Sequence, residues 1–376
     1  MAALQEILLA VLLVEAMVGG LCVAILAVRH LVCRWPNVPL HLDGTETRIV
    51  AGGQSLLAAV RGEGYLLPGS CGGRGTCGIC RLQVRKGGGD YAPAEEVLIS
   101  PDDLRAGLRL ACQVRVRGEI EAELPADARA ATFVRSLVSS RDPLPSGVHR
   151  LLVRVVEPRG WTFAAGQYVQ LFRQRPIPGD EPLTRAYSVA SDPACPETIE
   201  FHIQYVPGGE MTPWLCGRSP GDELWFSGPY GGMILSDADA GKQIVCVAGG
   251  VGFAPMKSVI LSLAGQASRQ TLWLFAGAAT PANLYDHDWA VGMAARHPWF
   301  VYVPCVQALP EKSANDSGEG GKEFEHGLVT DALERRFPAG TPAVALLCGP
   351  ERMVAAARLI LAGKGLELKD IRADTL

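Results

Sequence analysis

The first pattern along the chain is an unbroken apolar run. Ile7 to Val28 holds 22 positions and one charge, Glu15. As a helix rising about 1.5 Å per residue it spans about 33 Å, enough for a bilayer core. A signal peptide would place basic residues before the run, and Met1 to Glu6 has none. A retained, single-pass transmembrane helix is therefore expected. Arg29 and Arg34 follow the run, so the positive-inside rule puts the rest of the chain on the cytoplasmic side of the inner membrane. Trp35 fits an interfacial anchor, and Pro36 and Pro39 are expected to end the helix and open a linker. Glu15 would be costly in mid-membrane, and we expect it to be protonated against a neighbouring subunit.

Beyond the linker the pattern becomes short alternating runs. Leu40 to Val50 mixes turn and strand signals, Ser55 to Val60 reads as a short helix, and Arg81 to Val84 as a strand. Gln113 to Leu124 alternates well and predicts a hairpin about Gly118. From about Thr132 the runs are strand-like with Pro and Gly breaks: Leu151 to Val156, Tyr168 to Leu171 and Thr198 to Tyr205. That spacing predicts an antiparallel barrel. The last third changes again. Lys242 to Ala248 is a continuous apolar run, as a buried parallel strand should be, and a glycine loop and a helical stretch follow. Leu272 to Phe275, Phe300 to Val303 and Ala343 to Leu347 add strands with helices between them, an open α/β sheet. The expected architecture is multidomain α+β and α/β: an anchor and linker over 1–36, a small β-rich domain over 37–128, a barrel over 129–236 and a nucleotide-binding sheet over 237–376.

Composition narrows the function classes. The formal charge is -4, from 35 Lys+Arg against 39 Asp+Glu, so no basic excess exists to drive nucleic-acid binding. The 11 cysteines lie in a chain expected to be cytoplasmic, which favours metal or redox use over disulfides. Cys71, Cys77 and Cys80 cluster as C-x5-C-x2-C, and Cys112 follows 31 intervening residues later. Four thiolates suit a [2Fe–2S] cluster or zinc. Zinc sites more often show two separate C-x2-C knuckles, whereas three ligands here share one loop with Gly72, Gly73, Gly75 and Gly78. Those glycines let N–H groups turn toward sulfur.

Two further regions carry candidate chemistry. Arg185-Ala-Tyr187-Ser188 supplies a cation, an aromatic face and a hydroxyl, the groups a flavin needs, with Arg185 and Tyr187 on one strand face. Gly208-Gly209-Glu-Met-Thr212 reads as a turn opening a short helix. Gly249-Gly250-Val-Gly252-Phe-Ala-Pro255 follows a strand and opens a helix, the nucleotide-binding arrangement. Cys348-Gly349-Pro350 follows the Ala343 strand at the end where such sheets bind ligands. No histidine base is in evidence to make Cys348 a nucleophile. Gly277 to His297 has one cation, Arg296, far from the strand end, so nothing awaits a 2′-phosphate and NADH is expected over NADPH. Asp286-His287-Asp288 is expected to be a solvated loop, since no second ligand cluster accompanies it. Pro310 to Lys322, rich in Glu, Gly and Ser, is read as a surface loop.

With these motifs in order, the chain resembles a known family. Residues 40–125, with Lys86 to Asp90 and Leu110-Ala-Cys112-Gln-Val, resemble the ferredoxin domain of the F subunit of the Na+-translocating NADH:quinone oxidoreductase, which also begins with one transmembrane helix. Gly166-Gln-Tyr-Val, the Arg185 motif, Gly228-Pro-Tyr-Gly231 and the two nucleotide motifs resemble the ferredoxin–NAD(P)+ reductase superfamily. The resemblance implies a β-grasp-like ferredoxin domain with Cys71, Cys77, Cys80 and Cys112 as ligands of [2Fe–2S]. It implies FAD on Arg185, Tyr187, Ser188, Gly209 and Thr212. It places the nicotinamide nucleotide on Gly249, Gly250, Gly252, Pro255, Cys348, Gly349 and Pro350, with Tyr187, Ser188 and Cys348 at the hydride-transfer point. Electrons would then pass from NADH to FAD, singly to the cluster, and on to other membrane subunits or a quinone-reducing complex.

A second reading is the reductase of a multicomponent oxygenase. Only 13 residues, Phe172 to Thr184, join the Gly166 strand to the Arg185 motif, where the pump subunit carries an insertion and oxygenase reductases are compact. A third reading, a membrane redox sensor without turnover, is disfavoured by intact FAD and NAD motifs. Leu376 stands where pump-type relatives place an aromatic residue over the flavin.

Overall fold

The computed structural model describes residues 2–32, 35–44, 46–69, 71–175, 183–266, 270–308 and 324–375. Arg34, Pro310 to Lys322, Leu376 and part of the Phe172-to-Thr184 connection lie outside the described residues. The chain divides into two compact units, Met1–Leu67 with Gly73–Pro125, and Pro68–Gly72 with Ala126–Leu376.

The first unit opens with α1 (Ala2–Val32). Its segment Leu9–Ala27 is long and apolar enough to cross a membrane, with mean hydropathy 2.5. Next, β1 (Val38–Leu42) and β2 (Glu46–Val50) form a hairpin. Pro39 therefore lies in a strand, opposite Ile49, and not in a linker. β1 pairs with β5 only from Leu40 onward, so the missing N–H of Pro39 costs no ladder bond. Helix α2 (Leu56–Gly62) starts at Ser55, whose hydroxyl accepts from the Ala58 N–H at 3.1 Å. After β3 (Arg81–Lys86) come two short helices, α3 (Pro93–Leu98) and α4 (Pro101–Arg105), then β4 (Leu108–Leu110) and β5 (Ile120–Glu123). The sheet order is β2-β1-β5-β3-β4, with β1 and β5 parallel and the other pairs antiparallel, a β-grasp-like arrangement.

The hairpin expected about Gly118 does not form. Leu56 N–H donates to Val114 O, Val116 N–H to Gln54 O and Gly53 N–H to Val116 O. The Val114 carbonyl and both backbone groups of Val116 are thus spent on the approach to α2, and β5 is left to pair with β1 and β3. Alternation was real; the partner was non-local.

One buried ion pair organises the far side of this unit. Glu95 and Arg109 are both buried, and the Arg109 Nε and Nη2 donate to the two Glu95 oxygens at 2.9 Å each. Arg109 also donates to the carbonyls of Gly88, Gly89 and Asp90, and Glu95 accepts from the N–H groups of Ala92 and Leu110. Burial alone would raise the Glu95 pKa, but Arg109 and the two backbone donors more than offset it and hold the carboxyl below its ordinary value.

The second unit contains α5 (Ala126–Ala130) and a six-stranded antiparallel sheet: β6 (Thr132–Pro143), β7 (Val148–Glu157), β8 (Tyr168–Phe172), β9 (Thr184–Ser188), β10 (Thr198–Gln204) and β11 (Glu223–Tyr230). Their order is β10-β7-β6-β11-β8-β9. A bridge between Val189 and Phe201 brings the end of β9 back to β10, curling the sheet into a barrel. Its interior is filled by Val134, Val153, Leu171, Phe201 and Phe226, all buried. Helix α6 (Thr212–Cys216) lies between β10 and β11.

A parallel sheet completes this unit: β12 (Gln243–Gly249), β13 (Leu272–Ala278), β14 (Phe300–Val306), β15 (Glu325–His326), β16 (Ala343–Gly349) and β17 (Ile371–Thr375). Helices α7 (Phe253–Gly265), α8 (His287–Arg296), α9 (Val329–Arg336) and α10 (Glu351–Gly363) connect them. Alternate residues of β16 serve different layers. Val344, Leu346 and Cys348 pack with α7, while Ala343, Ala345 and Leu347 pack with α9 and α10. The order β15-β14-β13-β12-β16-β17 reverses direction between β12 and β16. Such a reversal opens a crevice at the carboxyl ends of the two strands.

Removing one member of the Glu95–Arg109 pair leaves a charge buried without its partner. Arg109→Met should destabilise the first unit by about 3 kcal/mol or more. Amide hydrogen exchange in β3, β4 and β5 is the check, and protection equal to wild type would refute the role given to the pair.

Candidate functional site

The crevice at the topological reversal is built by glycines. Gly249, Gly250 and Gly252 leave β12, and Cys348, Gly349 and Pro350 leave β16 beside them. A Cβ on Gly252 would lie 2.1 Å from the Cys348 carbonyl oxygen, and one on Gly249 would lie 2.8 Å from the Met353 sulfur. Glycine is what lets the two loops touch. Gly250 differs: it has φ +56 with open space before it. Pro255 is the third residue of α7, inside the first turn where its missing N–H costs no helical bond. The cleft is lined by Ala248, Gly250, Phe253, Gly277, Asn283 and Tyr285. Of the seven residues proposed from sequence for the nucleotide, Gly250 lines the cleft, Gly249, Gly252, Cys348, Gly349 and Pro350 meet where the two loops touch, and Pro255 lies in the first turn of the helix that follows.

Cys348 is buried, and burial, with Asp374 nearby, pushes its thiol pKa up. It stays a neutral thiol, which agrees with a shaping and not a nucleophilic role. Asp374 stands opposite Cys348 in the β16–β17 register. Its Oδ2 is buried without a hydrogen-bond partner among the described residues, and burial raises its carboxyl to about 6. The sequence reading missed both Asp374 and its strand, β17. A five-residue run at the end of the chain gives little periodic signal.

On the barrel, β9 carries Arg185, Tyr187 and Ser188. Alternation puts Arg185 and Tyr187 on one face, as expected. Tyr187 packs against the barrel core, and burial raises its hydroxyl pKa, so it remains protonated. Arg185 donates to the Thr184 carbonyl at 2.7 Å. Thr212 is the first residue of α6, and its hydroxyl accepts from the Val206 N–H at 3.0 Å. That bond closes the loop containing Gly208 and Gly209.

In the first unit Cys77, Cys80 and Cys112 come together. The Cys80 thiol donates to the Cys112 sulfur, which raises the former and lowers the latter, and Cys77 acts on Cys80 electrostatically. Cys112 also accepts from the Gly75 N–H, and from the Gln113 side chain at 3.4 Å. Gly72, Gly73, Gly75 and Gly78 all have positive φ, between 65 and 79. Cys71 is buried, in the short segment that groups with the second unit. Converging sulfurs with backbone and amide donors aimed at them fit an iron–sulfur centre.

The Asp286 region departs from expectation. Asp286 is no solvated loop residue: its side chain is 5% exposed and lies 2.8 Å from the Lys257 ammonium. Arg150 also donates to it. Lys257 reaches Glu200 at 2.8 Å, and His202 reaches Glu200 at 2.7 Å. Ligand atoms of Glu200, His202 and Asp286 lie within 4.8 Å of one another, a spacing that a metal could use. Lys257 and Arg150 already neutralise both carboxylates, so the group is an ion-pair network. His287 begins α8 and contacts the Tyr302 hydroxyl at 3.1 Å. The signal available was the apolar Leu284-Tyr285 immediately before Asp286, which argues against a solvated loop.

Comparison with known proteins agrees with this geometry. Three family models match: "2Fe-2S iron-sulfur cluster binding domain" over residues 40–117, "Oxidoreductase FAD-binding domain" over 138–234 and "Oxidoreductase NAD-binding domain" over 246–359. The F subunit of the Na(+)-translocating NADH-quinone reductase of Neisseria meningitidis is 28% identical, with 98% of this chain and 99% of the relative covered. The reductase subunit of an aromatic O-demethylase of Amycolatopsis is 34% identical, covering 81% of this chain and 88% of the relative. Among solved structures, a cytochrome P450 reductase of Amycolatopsis matches with TM-score 0.68 and 30% identity, covering 90% of this chain and 99% of that one.

Gly252→Ala forces a Cβ into the Cys348 carbonyl. The variant should keep its flavin and lose at least about tenfold in NADH affinity, since the backbone at the crevice must move. Flavin content and NADH titration measure this, and wild-type affinity would remove the crevice from consideration.

Proposed function

We propose, from the premise that the chain belongs to the reductase family in which a [2Fe–2S] ferredoxin domain is joined to FAD- and NAD-binding domains, that it is a membrane-anchored NADH-oxidising electron-transfer flavoprotein, passing electrons to a membrane partner or quinone as the input subunit of a Na+-translocating NADH:quinone reductase does. The observation that carries the membrane destination is α1, a candidate span attached directly to the ferredoxin unit. With Arg29 following the apolar run, the catalytic bulk lies on the cytoplasmic side of the inner membrane.

The residues divide the work. Gly249, Gly250, Gly252 and Pro255 hold the dinucleotide at the start of α7, and Cys348, Gly349 and Pro350 form the wall against the nicotinamide. Arg185 and Gly209 take the flavin pyrophosphate, Thr212 fixes that loop, and Tyr187 and Ser188 face the ring. Cys71, Cys77, Cys80 and Cys112 hold the cluster. The bound FAD and [2Fe–2S] cluster together convert a two-electron hydride donor into single electrons. Tyr187 and Cys348, both protonated by burial, shape the transfer site without adding charge.

A second reading is the reductase of a multicomponent oxygenase. It is favoured by the higher identity to the O-demethylase reductase subunit and by the compact connection between β8 and β9.

Two experiments separate these roles. Cys77→Ser should abolish single-electron output while NADH still reduces the flavin; retention of the cluster's visible spectrum would exclude Cys77 as a ligand. Purification of the tagged chain from native membranes in mild detergent, with mass spectrometry of what accompanies it, tests the destination. Stoichiometric multi-span proteins and NADH-driven quinone reduction are expected. Recovery with a soluble oxygenase would favour the second reading.

A further inference from the structure

The ion-pair network around Lys257 joins two layers of the second unit. Arg150 comes from β7, and Glu200 and His202 from β10, all in the barrel. Lys257 comes from α7 and Asp286 from the residue before α8, both in the nucleotide sheet. Lys257 is 5% exposed. Its ammonium lies 2.8 Å from Glu200 Oε1, 2.8 Å from Asp286 Oδ2 and 5.1 Å over the Trp289 ring. Two carboxylates meet one ammonium and one guanidinium, so the charges balance only with His202 neutral. Burial lowers the His202 pKa, and Glu200 and Asp286 only partly oppose this.

A neutral His202 fixes the direction of the bonds around it. Its Nε2–H donates to Glu200 at 2.7 Å, which leaves Nδ1 to accept from the Tyr285 hydroxyl at 3.2 Å. The Tyr285 ring lines the nucleotide cleft and meets Phe253, the first residue of α7, edge-on at 5.6 Å. Asp286 is held at φ 57, in the left-handed region, where the chain turns from the cleft wall into α8. The network therefore touches both the helix that leaves the glycine loop and the side wall of the cleft, and it anchors them to the flavin barrel.

We propose that Lys257, bridging Glu200 and Asp286, is a positioning residue for hydride transfer: it sets the nucleotide cleft against the flavin barrel through Asp286, Tyr285 and the start of α7. The inference rests on the reading of this unit as the NADH-to-FAD module. It concerns residues outside every motif by which that module was recognised. An apolar interface tolerates sliding, whereas an ammonium held by two carboxylates has one low-energy geometry. Misplacement by about 1 Å can cost on the order of a hundredfold in rate.

The test uses the holoprotein. Lys257→Met leaves a net negative charge in the network. The rate of flavin reduction at saturating NADH should fall by about tenfold or more, while the NADH dissociation constant stays within about threefold. The double variant Lys257→Met with Glu200→Gln restores charge balance and keeps an acceptor for His202, and it should recover most of the loss. Hydrogen exchange without NADH gives an independent readout: β10 and residues 283–290 should exchange faster in the single variant and return toward wild type in the double. Should the single variant not fold, Glu200→Gln alone, which unbalances the charge in the other sense, is expected to slow flavin reduction and quicken the same exchange. An unchanged rate, or a double variant no better than the single, overturns the proposal. Failure of the wild type to reduce its flavin with NADH would instead overturn the functional reading on which it rests.

Discussion

A charge inside a protein needs a partner held in place, and the second unit is built around that requirement. Desolvating a carboxylate or an ammonium costs several kcal/mol even after relaxation. Glu200, Asp286 and Lys257 are all largely buried, and two layers of structure supply the partners. Burial alone would raise Glu200; His202 and Lys257 hold it down at about 2. The carboxylate is thus ionised across the physiological range, and the barrel and the nucleotide sheet remain tied whenever the unit is folded. Hydrophobic burial makes each layer. This network specifies how the layers meet.

The first unit solves a related problem differently. A loop with glycines at 72, 73, 75 and 78 has great backbone freedom and, apart from half-buried Ile79 and its cysteines, little apolar side chain of its own to pin it. Order must come from its surroundings. The Arg109–Glu95 pair supplies it on one side, since Arg109 gathers three consecutive carbonyls and Glu95 receives the N–H of Leu110. Cys112 lies two residues after Leu110, so the distant ligand candidate inherits that position. The pair thus orders a glycine-rich segment in the first unit, whereas the network of the second unit fixes how two packed layers meet.

The legible parts of the sequence were those governed by local pattern. The apolar N-terminal run, the cysteine spacing, and the strand, glycine loop and helix at Gly249 each declare themselves within about ten to twenty residues. What was not legible depended on distant partners. Residues 113–116 alternate like a hairpin arm, but Val114 and Val116 bond to residues 53–56. Pro39 reads as a linker and lies in a strand, because β2 pairs with it at Ile49. Asp286 looks solvated beside His287 and Asp288, and only the fold reveals that Lys257 and Arg150 converge on it. β17 is extended because β16 is beside it.

The two kinds of relative inform different parts of the molecule. Identity to the O-demethylase reductase subunit is higher but covers 81% of the chain, whereas likeness to the Na(+)-translocating reductase subunit extends over 98%. The latter alignment needs 407 positions against a chain of 376, so that relative carries residues this chain lacks. A compact redox module and an N-terminal apolar helix are thus found together. The module determines how electrons are taken from a nicotinamide and made available singly. It does not determine who receives them, because single-electron transfer asks of an acceptor only proximity and a suitable potential. The helix bears on proximity. Held at a membrane, the ferredoxin unit would meet acceptors there at a far higher effective concentration than a soluble partner could reach by diffusion. That physical asymmetry, more than the ranking of relatives, is the reason to look first in the membrane.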